Sequence, residues 1–481
     1  MSIKSFVKSF SIYGLIPIFG KFISILLLPL YTRLLSPSDY GAQDILVQLA
    51  IFLTFLINLE MYSGVGRYFY ERINIVDKKK LISTGLWLTI VFSLIVISLA
   101  LLFNDSIYKI FFETDVYRIA FYLTILWAPI SALYTYFLVV MRYEKKPKLY
   151  FVLTNVQLMI RILSTVLFVA VFKLGVTGVI LGHIAGETSS VLMFGFVLRK
   201  YFGLYLSKID LKAILGFSLP LVPAVLIISF QKPLIRYLVV NYLSIVELGY
   251  YTIAIQIAGI LSFVQFGLKM SWQPHLFELL QNDHYESEVR KIYNLFLGIA
   301  GLVCFLIIMN GRLLLQILTT PSYYSAAPII GFVTINSMIE IIRQISGCGP
   351  AVAKKTQYET YYELCASVVS ILFFLAFYKY IGIIGLAIAF LGGTLIKFVW
   401  SWILTRKFTD IRIDALPTCL LLLFLLSISI IYAVINISIV TSIVFSILVG
   451  GAYFYVKKSE IFNGCKYING KISRAIAIKR N

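Results

Sequence analysis

Apolar runs too long for an ordinary soluble core dominate this sequence. Fourteen are read, near 10–31, 42–66, 81–103, 117–141, 150–172, 176–198, 213–238, 247–271, 291–310, 326–350, 360–378, 382–405, 415–434 and 438–456. A helix needs about 20 residues to cross a hydrocarbon layer ~30 Å thick, and these runs are near or above that length. They are too long and too continuous for barrel strands, so the backbone must satisfy itself within helices. Composition agrees: only 13% of residues are charged and 60% are hydrophobic, against about 25% charged in a soluble domain. The expected fold is all-α and polytopic, with about fourteen transmembrane helices. No small-residue cleavage site follows the first run, so it is expected to be a retained helix rather than a signal peptide.

Basic residues set the expected orientation. With the N-terminus in the cytoplasm, the inner loops hold Arg67, Arg72 and Lys78 to Lys80, then Arg142, Lys145, Lys146 and Lys148, then Arg199, Lys200, Lys208 and Lys212. Lys354, Lys355, Arg406, Lys407 and Arg412 follow, and a basic tail begins at Lys457. The opposite loops carry little more than Arg33, Lys109, Lys173, Arg312 and Lys379. Both termini are therefore expected on the cytoplasmic side. Topogenic charge accounts for most of the formal +20, so no nucleic-acid partner is needed; the tail could also touch anionic lipid headgroups.

The chain repeats itself. Ser36, Asp39, Gly41 and Gln48 recur 208 positions later as Ser244, Glu247, Gly249 and Gln256. Ser and an acid three residues on form a capping box at the start of a helix. Lys145-Lys146 recurs as Lys354-Lys355, and LGVTGV (Gly175, Gly178) as IGIIGL (Gly382, Gly385). Gly182 and Gly186 then correspond to Ala389 and Gly393, a small-xxx-small face that lets membrane helices approach closely. The expected organisation is an N-terminal six-helix lobe, 1–206, a second copy, 207–408, and an appendix of two helices with the basic tail, 409–481. Six crossings per copy give both the same orientation, about an axis along the membrane normal. Two such halves suit an alternating-access transporter. Prolines interrupt the first helix of each copy, Pro17 and Pro29 in one, Pro220, Pro223 and Pro233 in the other, and broken helices in matching places point to moving or cavity-lining parts.

No phosphate-cradling GxxxxGK[ST] occurs; the nearest text, Gly14 to Lys21, has the wrong spacing. The three histidines and five cysteines make no metal-binding or CxxC spacing. No cofactor, metal or catalytic residue is expected, and extramembrane segments are too short for a hydrolytic domain. The drive would then be an ion gradient, the membrane potential, or consumption of product outside.

A charge at bilayer depth costs about 2.5–3.5 kcal/mol on the mildest scales, so it faces a cavity or a partner. Lys21, Arg161, Lys232, Arg236, Arg343 and Lys397 fall inside apolar runs, against the acids Glu187, Glu340, Glu60 and Asp44. The cationic excess, drawn from both halves, suggests an anionic substrate bearing phosphate, since Arg grips phosphate bidentately and Lys neutralises it as a point charge. Glu340 and Arg343 are also spaced to pair with each other, and Lys232, Arg236 and Lys397 could snorkel to an interface. The acids read as counter-ions or coupling groups, Glu187 among them. Most tyrosines near helix ends belong to interfacial belts.

The run LLLPLYTRLLSPSDYGAQDI resembles the N-terminal signature of polysaccharide-biosynthesis proteins, the Wzx-type flippases of bacterial surface glycans, in the multidrug/oligosaccharidyl-lipid/polysaccharide exporter superfamily. Pro29, Leu30, Thr32 to Leu35 and Asp39 to Gly41 carry the likeness. The resemblance implies two six-helix lobes around a V-shaped cavity. It also implies translocation of an undecaprenyl-diphosphate-linked oligosaccharide for O-antigen, capsule or exopolysaccharide, with polysaccharide polymerase and glycosyltransferases as neighbours. A lipid II flippase or a multidrug/cation antiporter of the same superfamily is the alternative, and the extra helix pair resembles the lipid II branch.

Overall fold

Where no water reaches, a backbone group must find its partner within its own helix. The computed structural model describes residues 20–144, 146–279, 285–353, 355, 357–435 and 441–448, and among these there are helices and turns but no strand. Ten described helices are long and apolar enough to cross a membrane, or eleven if a bent pair is one span. The expected fourteen are not reached: the first and last runs extend into residues outside the described ones. The expected eleventh and twelfth are joined in one helix.

By internal packing the chain divides into Met1–Thr252 and Ile253–Asn481. The first unit opens with α1 (20–34), α2 (Pro37–Asn58) and α3 (Met61–Phe69). The expected single span 42–66 is broken between α2 and α3, where Leu59 and Glu60 adopt φ of 40° and 58°. L-residues pay a steric cost there; the Glu60 carboxylate accepts hydrogen bonds from Tyr62 (2.7 Å) and Ser63 (2.6 Å). Then come α4 (Ile75–Leu102), the short α5 (Asn104–Phe111), α6 (Arg118–Tyr143) and α7 (Pro147–Val166). A π-helical turn over Leu167–Val171 leads to α8 (Gly175–Leu198). Next, α9 (Lys208–Ser218) meets α10 (Val222–Tyr242) at a 57° bend. The expected span 213–238 is thus a broken one, bent beside Pro220 and Pro223. Helix α9 is held to the segments flanking α3 by Arg72–Asp210 (2.5 Å) and by the Ser218 hydroxyl on the Glu60 carbonyl (3.0 Å).

Helix α11 (Ile245–Ala258) runs across the boundary between the units. The second unit continues with α12 (Ser262–Leu279), α13 (Tyr285–Met309), α14 (Gly311–Leu318), α15 (Ala327–Ser346) and α16 (Gly349–Val352). It ends in α17 (Gln357–Phe408), α18 (Ala415–Val434) and the helical stretch 441–448. At 52 residues α17 would be about 78 Å long if straight, far more than one crossing needs. It folds back at Gly382, whose φ is 53°. A methyl added to Gly393 would stand 2.5 Å from the Ala366 carbonyl oxygen and 2.1 Å from Ser370 Oγ, although Ser370 lies ~35 Å away along a straight helix.

The sequence repeat has a geometric meaning at its glycine and capping landmarks; of the repeated lysines, Lys145 and Lys354 lie outside the described residues. Gly175 and Gly382, its copies in LGVTGV and IGIIGL, have φ of 52° and 53°, a region open to glycine at little cost. Gly182 and Gly186 press α8 on α7, as Gly393 presses the second arm of α17 on its first: added methyls would stand 1.9 Å from Thr165 Oγ1 and 2.6 Å from Arg161 Cβ. Ser36 caps α2 in a full capping box with Asp39, and Ser244 Oγ accepts from the Glu247 N–H at 3.1 Å. These two corners also touch. A methyl on Gly41 would lie 2.1 Å from the Ile245 carbonyl oxygen, and one on Gly249 would lie 2.0 Å from that of Pro37.

Backbone cannot yield as a flexible side chain can, so Gly41→Ala and Gly249→Ala are each expected to cost about 1–3 kcal/mol by overpacking. Gly216, with nothing within 4 Å of an added methyl, is the control, and Gly216→Ala is expected to be neutral or stabilising. Unfolding in mixed micelles checks this. Equal stability of Gly41→Ala and Gly216→Ala would contradict the close contact.

Candidate functional site

One group of polar side chains lies in the first unit, on α1, α6, α7 and α8. Arg161 is 14 residues into α7, so it sits about 21 Å along that helix. Gly186 leaves the room that lets α8 approach at this level. One residue further on, buried Glu187 accepts a hydrogen bond from Trp127 Nε1 at 2.7 Å and another from the Ser131 hydroxyl. His183, one turn before it, packs its ring 4.7 Å from that of Trp127. The Tyr31 hydroxyl reaches Thr165 from α1. The field of the Arg161 guanidinium acts on Glu187, His183, Tyr31 and Tyr134. Among the described residues, however, no ion pair to Arg161 forms. Its neighbouring carboxylate is committed to α6, and among the described residues no hydrogen bond engages the guanidinium.

A second place joins α2 and α10. Arg236 Nε stands 2.8 Å from Asp44 Oδ2, both side chains about nine-tenths buried. Lys232, one turn earlier, is exposed and feels both charges; among the described residues it makes no ion pair.

The third place lies in the second unit. Arg343 pairs with Glu340 on its own helix at 3.0 Å. Glu340 also binds Lys397 of α17 at 2.8 Å, and Lys397 pairs in turn with Glu363. Glu359 stands 3.9 Å from Arg343, whose guanidinium lies over the Tyr362 ring at 5.5 Å. Two cations thus face three carboxylates, and the local balance is acidic.

The cationic excess expected from sequence is therefore distributed unevenly. Arg236, Arg343 and Lys397 are closed in ion pairs with Asp44, Glu340 and Glu363, whereas among the described residues Arg161 and Lys232 are not. Lys21 lies ten residues from Tyr31, some 15 Å along α1, and so away from the turn that meets Arg161. Glu60 sits at the α2–α3 break and serves hydroxyls rather than a cation. Sequence reading missed Trp127, His183, Glu359 and Glu363. The signal was there: a helical His and Glu four apart share a face, as do two glutamates four apart, and a buried indole N–H demands an acceptor.

The fold defines a class. It matches the lipid II flippase MurJ in an inward closed conformation with a TM-score of 0.72 at 15% identity, over 94% of this chain and 99% of that one. A MATE-family multidrug resistance transporter of the MOP superfamily, in an inward-facing conformation, gives 0.61 at 14% identity over 85% and 94%. A MOP superfamily transporter from Pyrococcus furiosus, described by the reverse polarity of its binding pocket, gives 0.55 at 12% over 83% and 95%. The chain is therefore a multi-pass membrane protein with the MurJ/MATE fold. Within that class, residues 30–265 match the family described as polysaccharide biosynthesis protein. This bears out the resemblance carried by Pro29 to Gly41. No curated protein matches the chain.

Removing one member of a buried pair leaves a charge without its partner, at a cost of about 3–5 kcal/mol. Arg236→Met is expected to lose that much stability, and Asp44→Leu added to it to recover most of the loss. Unfolding free energies of the two singles and the double test this. A loss below ~1 kcal/mol in the single, in the range of an exposed pair, would contradict a structural role for the pair.

Proposed function

We propose that this protein is a flippase that carries a polyprenyl-diphosphate-linked oligosaccharide across the cell inner membrane by alternating access, for surface polysaccharide synthesis. Both termini lie in the cytoplasm, the six-helix copies 1–206 and 207–408 are the moving halves, and 409–481 is an appendix. The observation that carries the reading is Arg161. A guanidinium deep in an apolar bundle costs too much to stay idle, and its fork of donors suits two phosphate oxygens at once. Lys21 and Lys232 add point charges for the same diphosphate; Arg236, Arg343 and Lys397 act through their ion pairs, which an arriving anion can compete for. The match of residues 30–265 to a polysaccharide-biosynthesis family supports the substrate class. Glycosyltransferases would load the lipid on the inner face and a polymerase would use it on the outer face.

A second reading has its own support. The likeness to the lipid II flippase MurJ extends over 94% of this chain, so a peptidoglycan precursor is the competing cargo.

Deletion of the protein is expected to accumulate the lipid-linked oligosaccharide on the cytoplasmic leaflet, with drug susceptibility unchanged. Arg161→Ala, at equal abundance in the membrane, is expected to restore surface glycan at least about tenfold less well than wild type, equivalent to ~1.4 kcal/mol; Arg161→Lys, a point charge, should fall between. Chromatography of extracted lipid intermediates reads the outcome. Accumulation of lipid II with lysis would transfer the cargo to peptidoglycan, and a gain in drug sensitivity with normal glycan lipids would favour an antiporter.

A further inference from the structure

Helix α4 is longer than one crossing needs. Its 28 residues rise about 42 Å, against a hydrocarbon layer of ~30 Å. Lys78, Lys79 and Lys80 in its first turns put the excess at that end. Against those turns lies the segment 201–212, fixed by three hydrogen bonds. The Ser83 hydroxyl donates to the Tyr201 carbonyl at 2.8 Å and Trp87 Nε1 to that of Gly203 at 3.1 Å, while the Ser207 N–H donates to Thr84 Oγ1 at 3.1 Å. The segment is held in place, yet its apolar side chains point outward: Leu204, Leu206 and Ile209 are 89%, 61% and 77% exposed. On α9 the buried Asp210, Ile214 and Ser218 recur every fourth residue and mark the inner face. Lys208 and Lys212, also one turn apart, lie round the helix from them and are exposed.

Charge here is one-sided. Asp210 is closed by Arg72, and Glu71 by Arg67. Lys79 stands over the Tyr205 ring at 5.3 Å and Lys78 over the Phe69 ring at 4.8 Å. Among the described residues none of Lys78, Lys79, Lys80, Lys208 and Lys212 makes an ion pair. Asp77, in the first turn of α4, is the one acid left on the two stretches. Lys80 comes one turn before Thr84 and Lys208 follows Ser207, so the Ser207–Thr84 bond sets the two groups of lysines on adjoining elements. Water satisfies the ammonium groups and not the apolar side chains; hydrocarbon does the reverse. The boundary of a bilayer satisfies both. A zwitterionic headgroup brings its own ammonium, whereas an anionic one offers phosphate charge uncancelled, so each lysine near it adds about fivefold in affinity.

We propose that the start of α4 and the segment 203–212 form a seat for an anionic phospholipid of the cytoplasmic leaflet. Lys79, Lys80, Lys208 and Lys212 take its phosphate, and Leu204, Leu206 and Ile209 enter among the acyl chains. Which leaflet it is rests on the proposed cytoplasmic placement of the termini; the seat itself does not. Because α9 meets α10 at a 57° bend, a lipid held on α9 steadies the base from which α10 tilts.

The test uses the full chain in phosphatidylcholine nanodiscs with a trace of phosphatidylglycerol carrying a diazirine high in its acyl chain, and peptide mapping after illumination. Labels are expected on peptides containing Leu204 to Ile209. Excess unlabelled phosphatidylglycerol should suppress them about tenfold, and the same excess of phosphatidylethanolamine less than about twofold. Lys79→Gln, Lys80→Gln, Lys208→Gln and Lys212→Gln together should lower labelling at least about tenfold. Lys148→Gln, Lys355→Gln, Lys407→Gln and Arg412→Gln together, at four exposed cations outside the patch, should leave it within about twofold. Lys208→Gln with Lys212→Gln, both at exposed positions, should lose about fivefold and stands in should the larger change unfold the chain. Equal suppression by phosphatidylethanolamine, or equal labelling of the lysine variants and the control, would overturn the proposal. Suppression by polyprenyl diphosphate with none by phosphatidylglycerol would overturn it too, by giving the seat to the cargo. Asn74→Cys, exposed at the same end of α4, reads the leaflet with a membrane-impermeant maleimide, against wild type as background. Reaction only after permeabilisation is expected; reaction in intact cells would overturn the leaflet and the orientation and leave the seat.

Discussion

Helices in lipid gain little hydrophobic energy by touching one another, so their association depends on close packing and internal hydrogen bonds. In this protein the approach of α8 to α7 is the contact on which the rest depends. Gly182 and Gly186 remove the side chains that would hold the helices apart, and only because of that does Glu187 lie within the field of Arg161. The same device recurs in the second arm of α17, where Gly393 lies on Ala366 and Ser370. There the closed helical hairpin brings Glu363 to Lys397, and Glu340 of α15 joins them. Packing of small residues thus decides which charges meet.

The charges that meet are not equivalent. The α15–α17 network satisfies itself, with surplus acid and an aromatic face over Arg343. The Asp44–Arg236 pair is closed and about nine-tenths buried. Near Arg161, by contrast, the one acid among the described residues, Glu187, is already bound to Trp127 and Ser131. Low polarity strengthens a completed pair and penalises an incomplete one, so the incomplete group is where an arriving anion gains most. A diphosphate would offer acceptor oxygens in the arrangement a guanidinium prefers.

Much of the architecture was legible in the sequence, for reasons that differ by feature. Run length gave helices, because bilayer thickness fixes a minimum. The 415–434 run coincides with α18 because no charge falls inside it and its one proline, Pro417, sits in the first turn, where a helix tolerates it. The repeated glycines were readable because positive φ and close approach both select for glycine, and Gly175, Gly382, Gly186 and Gly393 meet those demands. The break at Leu59 and Glu60 was not readable: neither residue favours φ of 40° or 58°, and the conformation is held by tertiary contacts such as Ser218 on the Glu60 carbonyl. The site was only half legible. Counting charges along apolar runs located Arg161, Glu187, Glu340, Arg343 and Lys397. It could not say which of them neutralise one another, because Glu340 lies on α15 while Glu363 and Lys397 lie on opposite arms of α17, and Asp44 lies 192 positions from Arg236. Pairing is a fact of packing, and the excess of cations counted along the chain shrank once helices were brought together.

The measurement that tests the central claim most directly is leaflet transfer in proteoliposomes. The full chain is reconstituted with a fluorescent polyprenyl-diphosphate oligosaccharide, and exposure is read with a membrane-impermeant quencher. Wild type, Arg161→Ala and Lys21→Ala are compared at equal insertion. The account predicts transfer by wild type and its collapse in Arg161→Ala. Wild-type transfer that is unchanged in Arg161→Ala would contradict the role given to the Arg161 guanidinium.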